Sequence, residues 1–279
     1  MVDINFLKKI FFNNKQKKFF LYPDKKKSEF FAEQLFYSLF TPSKQLLKDE
    51  IYFEENYKNL QKILNEIFIE LNLSKKDAIN SSIRFFKKIP NIYDILLIDA
   101  NEILESDPAA ISIEEIFLSY PGFFATALYR IAHQLWNQEI PIIPRLITEY
   151  AHSKTGVDIH AAAVIDEAFA IDHGTGIVIG SSTKIGKKVR IYQGVTLGAI
   201  NVYKELSNVK RHPTIEDKVT IYAGATILGG KTVIGHDSIL GGNVWITRSI
   251  PPFSVVYQKS ETKMRNNNNI FPDSINFMI

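Results

Sequence analysis

The chain has 279 residues, with 33 Lys and Arg against 30 Asp and Glu, so its net charge is only +3. With 46% hydrophobic and 23% charged residues it has an ordinary globular balance, which excludes global disorder, and its charge gives no sign of a nucleic-acid partner. It contains no cysteine, which removes disulfides, thiolate zinc sites and a cysteine nucleophile and leans towards a reducing compartment. No apolar run approaches the roughly 20 residues of a membrane helix. Lysines interrupt every apolar stretch near the N-terminus, so no signal-peptide pattern appears. The chain reads as soluble and cytoplasmic, without a membrane partner.

The first 27 residues are rich in Lys and Phe. They read as a solvated amphipathic helix whose lysine stems cover an apolar stripe, in preference to a membrane-surface helix. Beyond them, glycine is almost absent and apolar residues recur at helical spacing. Leu60, Ile63, Leu64, Ile67, Phe68 and Leu71 form one such row; Phe124, Leu128, Ile131 and Leu135 line a face of Phe123–Trp136. Pro108 fits the first turn of a helix capped by Ser106 or Asp107. Tyr120-Pro121-Gly122 reads as a break between two helices.

At Gly156 the pattern changes. Ile159, Ile165, Ile171 and Ile177 fall on every sixth position. The phase then slips by two, and Ile179, Ile185, Ile191 and Leu197 continue the row. After a further segment, Ile215, Ile221, Ile227, Val233, Ile239 and Trp245 resume it. A period of six fits neither a helix nor an isolated amphipathic strand. It fits a coil of short strands joined by tight corners, with one apolar side chain per strand pointing inwards. Ala199–Arg211 lacks the repeat glycines and reads as a loop thrown out from the coil. The predicted class is α+β: an all-helical domain over 1–155, a β-helix of hexapeptide repeats over 156–255, and a C-terminal tail over 256–279. The tail includes the polar tract Asn266–Asn269 and ends at Ile279.

Three polar clusters stand out: Asp158 and His160 in Gly-Val-Asp-Ile-His, Asp172 and His173 in Asp-His-Gly-Thr-Gly, and Arg211-His212-Pro213. Asp158 and His173 lie slightly less than one coil apart, so their side chains are expected to meet at neighbouring levels. A carboxylate beside an imidazole fixes its tautomer and stabilises its protonated form, as a general base requires.

These motifs, together with Gln-Gly-Val-Thr-Leu-Gly and with Asp-Pro-Ala at Asp107, resemble the serine O-acetyltransferases from about residue 90 to about 255. The resemblance implies a left-handed parallel β-helix that transfers an acetyl group from acetyl-CoA, a co-substrate and not a resident cofactor, to L-serine in cysteine biosynthesis. It implies His173 as base with Asp158 holding the imidazole, Asp107 and Asp172 on the serine ammonium, and Arg211 and His212 on its carboxylate. Gly198, Ala223 and Gly241 would contact the CoA arm, and no metal is implied. It further implies trimers with sites between subunits, paired through the helical domains, and a tail that enters cysteine synthase through Ile279. The chain departs from the family at Gly198-Ala199, where Gly-Gly is common, and at Val255-Val256-Tyr257-Gln258, where Gly-x-Pro-Ala is usual.

Three other readings stay open on residues alone. A hexapeptide acetyltransferase for a sugar or another small acceptor would keep His173 without needing Asp107, Asp172 and Arg211. A zinc hydratase would need three suitably spaced histidines. A non-catalytic scaffold would bind cysteine synthase through its tail alone.

Overall fold

The computed structural model describes residues 3–16, 22–200 and 209–259. A helical region precedes a parallel β-solenoid of about five turns. The helices are α1 (Ile4–Gln16), α2 (Lys25–Phe40), α3 (Glu50–Glu70), α4 (Lys75–Phe86), α5 (Ile89–Ser106), α6 (Ile113–Ser119), α7 (Pro121–Trp136) and α8 (Ile143–Thr155). Side chains of Asp24, Asp49, Ser74 and Ser112 accept the first free amides of α2, α3, α4 and α6, so these helices start at capping residues. The predicted rows are the buried ones: Leu60, Leu64, Ile67 and Phe68 on α3, and Leu128, Ile131 and Leu135 on α7. They share a core with Phe31, Leu35 and Phe36 of α2 and Leu96 and Ala100 of α5. Ile4, Phe6, Leu7, Ile10, Phe11 and Phe12 of α1 are exposed. No helix among the described residues is long and apolar enough to cross a membrane.

One helix boundary differs from expectation. Asp107 does not start a helix; it is the C-cap of α5, and the next helix begins after Ser112. Pro108 cannot continue α5, so the chain turns there, with the Asp107 carboxylate accepting the Ala109 amide at 2.8 Å.

Gly156, at φ 75°, ends α8 in the left-handed conformation and delivers the chain into the solenoid. Its strands are β1 (Val157–Ile159), β2 (Val164–Ile165), β3 (Ala170–Ile171), β4 (Ile177–Ile179), β5 (Lys184–Ile185), β6 (Arg190–Ile191), β7 (Thr196–Gly198), β8 (Thr214–Ile215), β9 (Thr220–Ile221), β10 (Thr226–Leu228), β11 (Val233–Ile234), β12 (Ile239–Leu240), β13 (Trp245–Ile246) and β14 (Val255–Val256). They stack into three parallel sheets, ordered β1-β4-β7-β10-β13, β11-β8-β5-β2 and β14-β12-β9-β6-β3. The isoleucines at the six-residue step, from Ile159 through Ile227, fill the interior.

Three departures from the six-residue step have structural causes. The corner after β3 holds two additional residues, His173 and Gly174, so Ile179 and not Ile177 stacks on Ile159; Ile177 faces inwards as its partner Val157 does. Thr214 on β8 pairs directly with Lys184 on β5, and the Lys184 amide donates to the Pro213 carbonyl at 3.2 Å, so the stack resumes in register there. Of the predicted loop, 201–208 fall outside the described residues. After Ile227 the phase moves by one at Gly229-Gly230. Ile234, Leu240 and Ile246 therefore carry the inward row, while Ile239 and Trp245, expected inside, are exposed, Trp245 by 71%. Gly230 makes that corner possible, because its Cα lies against the Lys210 carbonyl where no side chain fits.

The helices grip the first turn of the solenoid through α7. Arg130 binds Asp99 of α5 through Nε at 2.6 Å and Nη2 at 2.9 Å, and donates to the carbonyls of Ile165 (3.1 Å) and Asp166 (2.8 Å). Asp99, fully buried, also accepts the Phe169 amide at 2.9 Å. Tyr129 donates to the Ala163 carbonyl at 2.6 Å, and Arg190 on β6 binds Glu102 of α5 at 2.7–2.8 Å. Removing one partner from a buried, fully hydrogen-bonded ion pair leaves an uncompensated charge. Arg130→Ala is therefore expected to lose about 3–5 kcal/mol of stability, read from the midpoint of urea unfolding. A loss below about 1 kcal/mol would mean that this pair does not hold the two regions together.

Candidate active site

The two inserted residues shape the corner after β3. His173 has φ 59° and Gly174 φ 56°, both in the left-handed region, which strains a histidine but lets the chain bulge outwards. Gly174 packs against Gly122 at the start of α7; a Cβ on Gly174 would strike the Gly122 backbone, and one on Gly122 would strike Ile171. The imidazole of His173 is thus presented on a fixed bulge with its side chain 65% exposed, its Nδ1 3.7 Å from Asp172 Oδ1.

Asp107 arrives at the same edge from the end of α5. Its Oδ1 accepts the Ala109 amide and its Oδ2 accepts the Tyr120 hydroxyl at 2.7 Å. Asp107 and Asp172 line one small cavity with Arg190 and Tyr192. Arg190 is turned towards Glu102, and Tyr192 stacks on Tyr222 of the next rung with centroids 4.8 Å apart. Ala223 and Gly241 lie further along this edge, in the corners that follow β9 and β12. Five of the nine predicted site residues therefore share one edge: Asp107, Asp172, His173, Ala223 and Gly241.

The other four sit on the first sheet and at its far edge. His212 is only 7% exposed and lies over Gly180, where any side chain would strike the ring. Ser182 fixes its protonation state. The Ser182 hydroxyl oxygen accepts the amides of Arg211 (2.9 Å) and His212 (3.1 Å), leaving its proton for His212 Nδ1 at 2.8 Å. The Ser182 amide donates to the same Nδ1 at 3.1 Å. An Nδ1 that accepts two donors carries no proton, so the neutral ring bears its hydrogen on Nε2. Burial, then Arg211, His160 and Lys210, push the imidazole down to about 4. Lys210 Nζ fastens the loop's end to the carbonyls of His212 (2.9 Å) and Ser182 (3.1 Å). Arg211 opens onto a groove with Trp136 and His160. Gly198 ends β7 beside Leu228 on this edge.

The expected pairing of Asp158 with His173 does not form within the chain. Asp158 lies mid-strand on β1, beside Val178, with Oδ1 3.6 Å from Arg145 Nη1. The bulge carries His173 off the line of the rungs, so the small spacing in sequence does not become contact. Asp158 instead acts electrostatically on His160, as Arg211 does, and thus belongs with the second group. Sequence reasoning also missed Tyr120, Arg190, Tyr192, Ser182 and Lys210. Tyr120 reads only as part of a helix break, and the others sit in repeat or loop positions that carry no motif. Among the described residues, no group of three or more His, Asp or Glu converges as a metal site.

No family model matches the chain. Individual proteins do. Over 189 residues it is 47% identical to the plasmid serine acetyltransferase of Synechococcus elongatus, covering 66% of this chain and 58% of that protein. A second Synechococcus serine acetyltransferase is 42% identical over 51% of its own length, so this chain spans just over half the length of these two relatives. The serine acetyltransferase of Bacillus subtilis is 40% identical over 158 residues, 57% of this chain and 70% of the relative. Among solved structures, Entamoeba histolytica serine acetyltransferase 1, in complex with L-cysteine, superposes with a TM-score of 0.75 at 34% identity, covering 81% of this chain and 86% of that one. Identity at this level over most of the length of the Bacillus and Entamoeba proteins, with the same helices leading into the same solenoid, makes this chain a member of the serine acetyltransferase family.

Proposed function

We propose that the protein transfers the acetyl group of acetyl-CoA to the hydroxyl of L-serine, releasing CoA and O-acetyl-L-serine for cysteine biosynthesis in the cytoplasm. The observation that carries this reading is the pair of aspartates, Asp107 and Asp172, lining one cavity beside the exposed His173. Two carboxylates suit the ammonium group of an amino acid, and a sugar hydroxyl has no use for them. In this reading residues 1–155 form the helical domain, 156–255 the catalytic solenoid and 256–279 a tail.

The imidazole of His173 takes the serine hydroxyl proton as the oxygen attacks the thioester carbonyl. The tetrahedral adduct collapses, the carbon–sulfur bond breaks, and the departing thiolate takes that proton back from the imidazolium. A thioester is already activated, so orientation and one base suffice. Asp107 and Asp172 hold the ammonium group. Arg211, through paired charge-assisted bonds, and His212, through its Nε2–H, hold the carboxylate.

These groups occupy two edges of one protomer, so a single copy cannot close around one serine. We therefore place the site between copies in a trimer, with helical domains pairing two trimers. His173, Ala223 and Gly241 of one copy face Arg211, His212, Gly198 and Asp158 of the next, and Asp158 reaches the imidazole across the interface. The exposed Val178 and Trp245 on the sheet between the two edges support burial there. The L-cysteine bound to the Entamoeba enzyme supports an amino-acid site of this kind, since cysteine has serine's ammonium and carboxylate. Ile279 falls outside the described residues. Its entry into cysteine synthase remains part of this proposal.

Four outcomes are expected. His173→Ala loses about 10²-fold or more in serine-dependent CoA release. His173→Ala and Arg211→Ala chains, each impaired alone, recover activity when unfolded together and reassembled, with about a quarter of the interfaces intact in a random mixture; absence of recovery would place both residues in one copy's site. The ordinary imidazole value is near 6.5, and His212 is held near 4, so the folded chain refuses a proton that the unfolded chain takes. The stability contributed by the neutral ring is full above about pH 6.5 and drains as pH falls towards about 4. His212→Gln should flatten that profile of urea midpoints, and an unchanged profile would mean that the ring is not held neutral. Deleting Ile279 should abolish binding to cysteine synthase while sparing acetyl transfer; an undiminished complex would refute the tail contact.

A further inference from the structure

Asp107 sits at the mouth of a helix end, where a carboxylate is free to rotate and to be drawn away by cations. Arg190 lines the same cavity. Two bonds hold Asp107 in one orientation. The Ala109 amide fixes Oδ1 at 2.8 Å, and this bond is local to the turn. The Tyr120 hydroxyl fixes Oδ2 at 2.7 Å, and this bond reaches across from another element. Tyr120 is the N-cap residue of α7, immediately before Pro121 and Gly122, and Gly122 is the residue against which the His173 bulge packs. Its position is rigid: its amide donates to the Ile116 carbonyl at 3.2 Å and its carbonyl accepts the Phe124 amide at 3.1 Å.

We propose that Tyr120 is a positioning residue for acceptor binding: its hydroxyl locks the Asp107 carboxylate so that the remaining lone pairs face the cavity shared with Asp172, in register with His173. The inference rests on the reading that Asp107 binds the acceptor's ammonium group. The same three residues, Tyr120-Pro121-Gly122, thereby set both the ammonium anchor and the base. Burial and the neighbouring Asp107 push the phenol up to about 12. It therefore stays a donor throughout the working range and never presents a second anion to the acceptor.

Tyr120→Phe deletes one oxygen and leaves the ring, the cap and the bulge contact in place. A hydrogen bond to a charged group is the larger kind, so its loss is expected to raise the KM for L-serine about tenfold. The kcat and the KM for acetyl-CoA should stay within about twofold, because the base and the donor edge are untouched. The deciding measurement is a double-mutant cycle with Asp107→Asn. If Tyr120 acts through Asp107, Tyr120→Phe adds nothing to the serine KM in the Asp107→Asn background. Additive effects, an unchanged serine KM, or a parallel rise in the acetyl-CoA KM would each overturn the proposal and leave the acceptor reading standing. An unchanged serine KM in Asp107→Asn itself would overturn the ammonium reading and this inference together.

Discussion

The buried contact between Arg130 and Asp99 is the constraint from which the rest of the geometry follows. It ties three pieces of chain at one point: α5 through Asp99, α7 through Arg130, and the first turn of the solenoid through the carbonyls of Ile165 and Asp166 and the amide of Phe169. Burial pushes the Asp99 carboxyl up, while the guanidinium and the Phe169 amide pull it down. Such a pair contributes little net stability compared with apolar packing, but it has few alternative arrangements. The end of α5 then brings Asp107 to the solenoid's edge, and the start of α7 meets the His173 bulge. Asp99 and Arg130 do not line the cavity of Asp107 and Asp172, yet the elements that form it are held by them.

The sequence carries the fold class plainly because each level of structure has its own period. The row from Leu60 to Leu71 repeats at helical spacing, the row from Ile159 to Ile227 at six, and both are buried, Ile63 only in part. Polar motifs singled out Asp107, Asp172 and His173, and these three stand at one edge. What was not legible has physical reasons. A single extra residue at Gly229-Gly230 turns Ile239 and Trp245 outwards, and side-chain type does not reveal a one-residue slip when both neighbours are apolar. Asp158 and His173 were paired by spacing, but spacing along a solenoid gives height and not position around it. Tyr120 and Ser182 act by orienting other side chains, and that work leaves no pattern in one chain.

The breaks in the repeat are where the candidate polar residues stand. The two-residue slip after Ile171 is the His173 bulge, and Arg211 and His212 stand just before β8. Regular rungs offer rigid, closely spaced edges and few reactive groups; an insertion adds the reactive group without disturbing the stack. The cost of the strained His173 backbone is met by packing against Gly122, so the rigidity of the helical region is lent to one corner.

The helices hold only the beginning of the solenoid, whereas the edge that carries His173 runs on through the corners of Tyr192, Ala223 and Gly241. Each rung advances by the strand spacing of about 4.8 Å. That edge is in effect a graduated ruler, with its zero mark fixed at the imidazole by Gly122 and Gly174. A ligand lying along it has its length read in whole rungs. Adding or removing one complete rung beyond Ala223 would move the far mark by one division and leave the zero where it is, so in this architecture the reach of the edge and the geometry at its origin are separable by design or by descent.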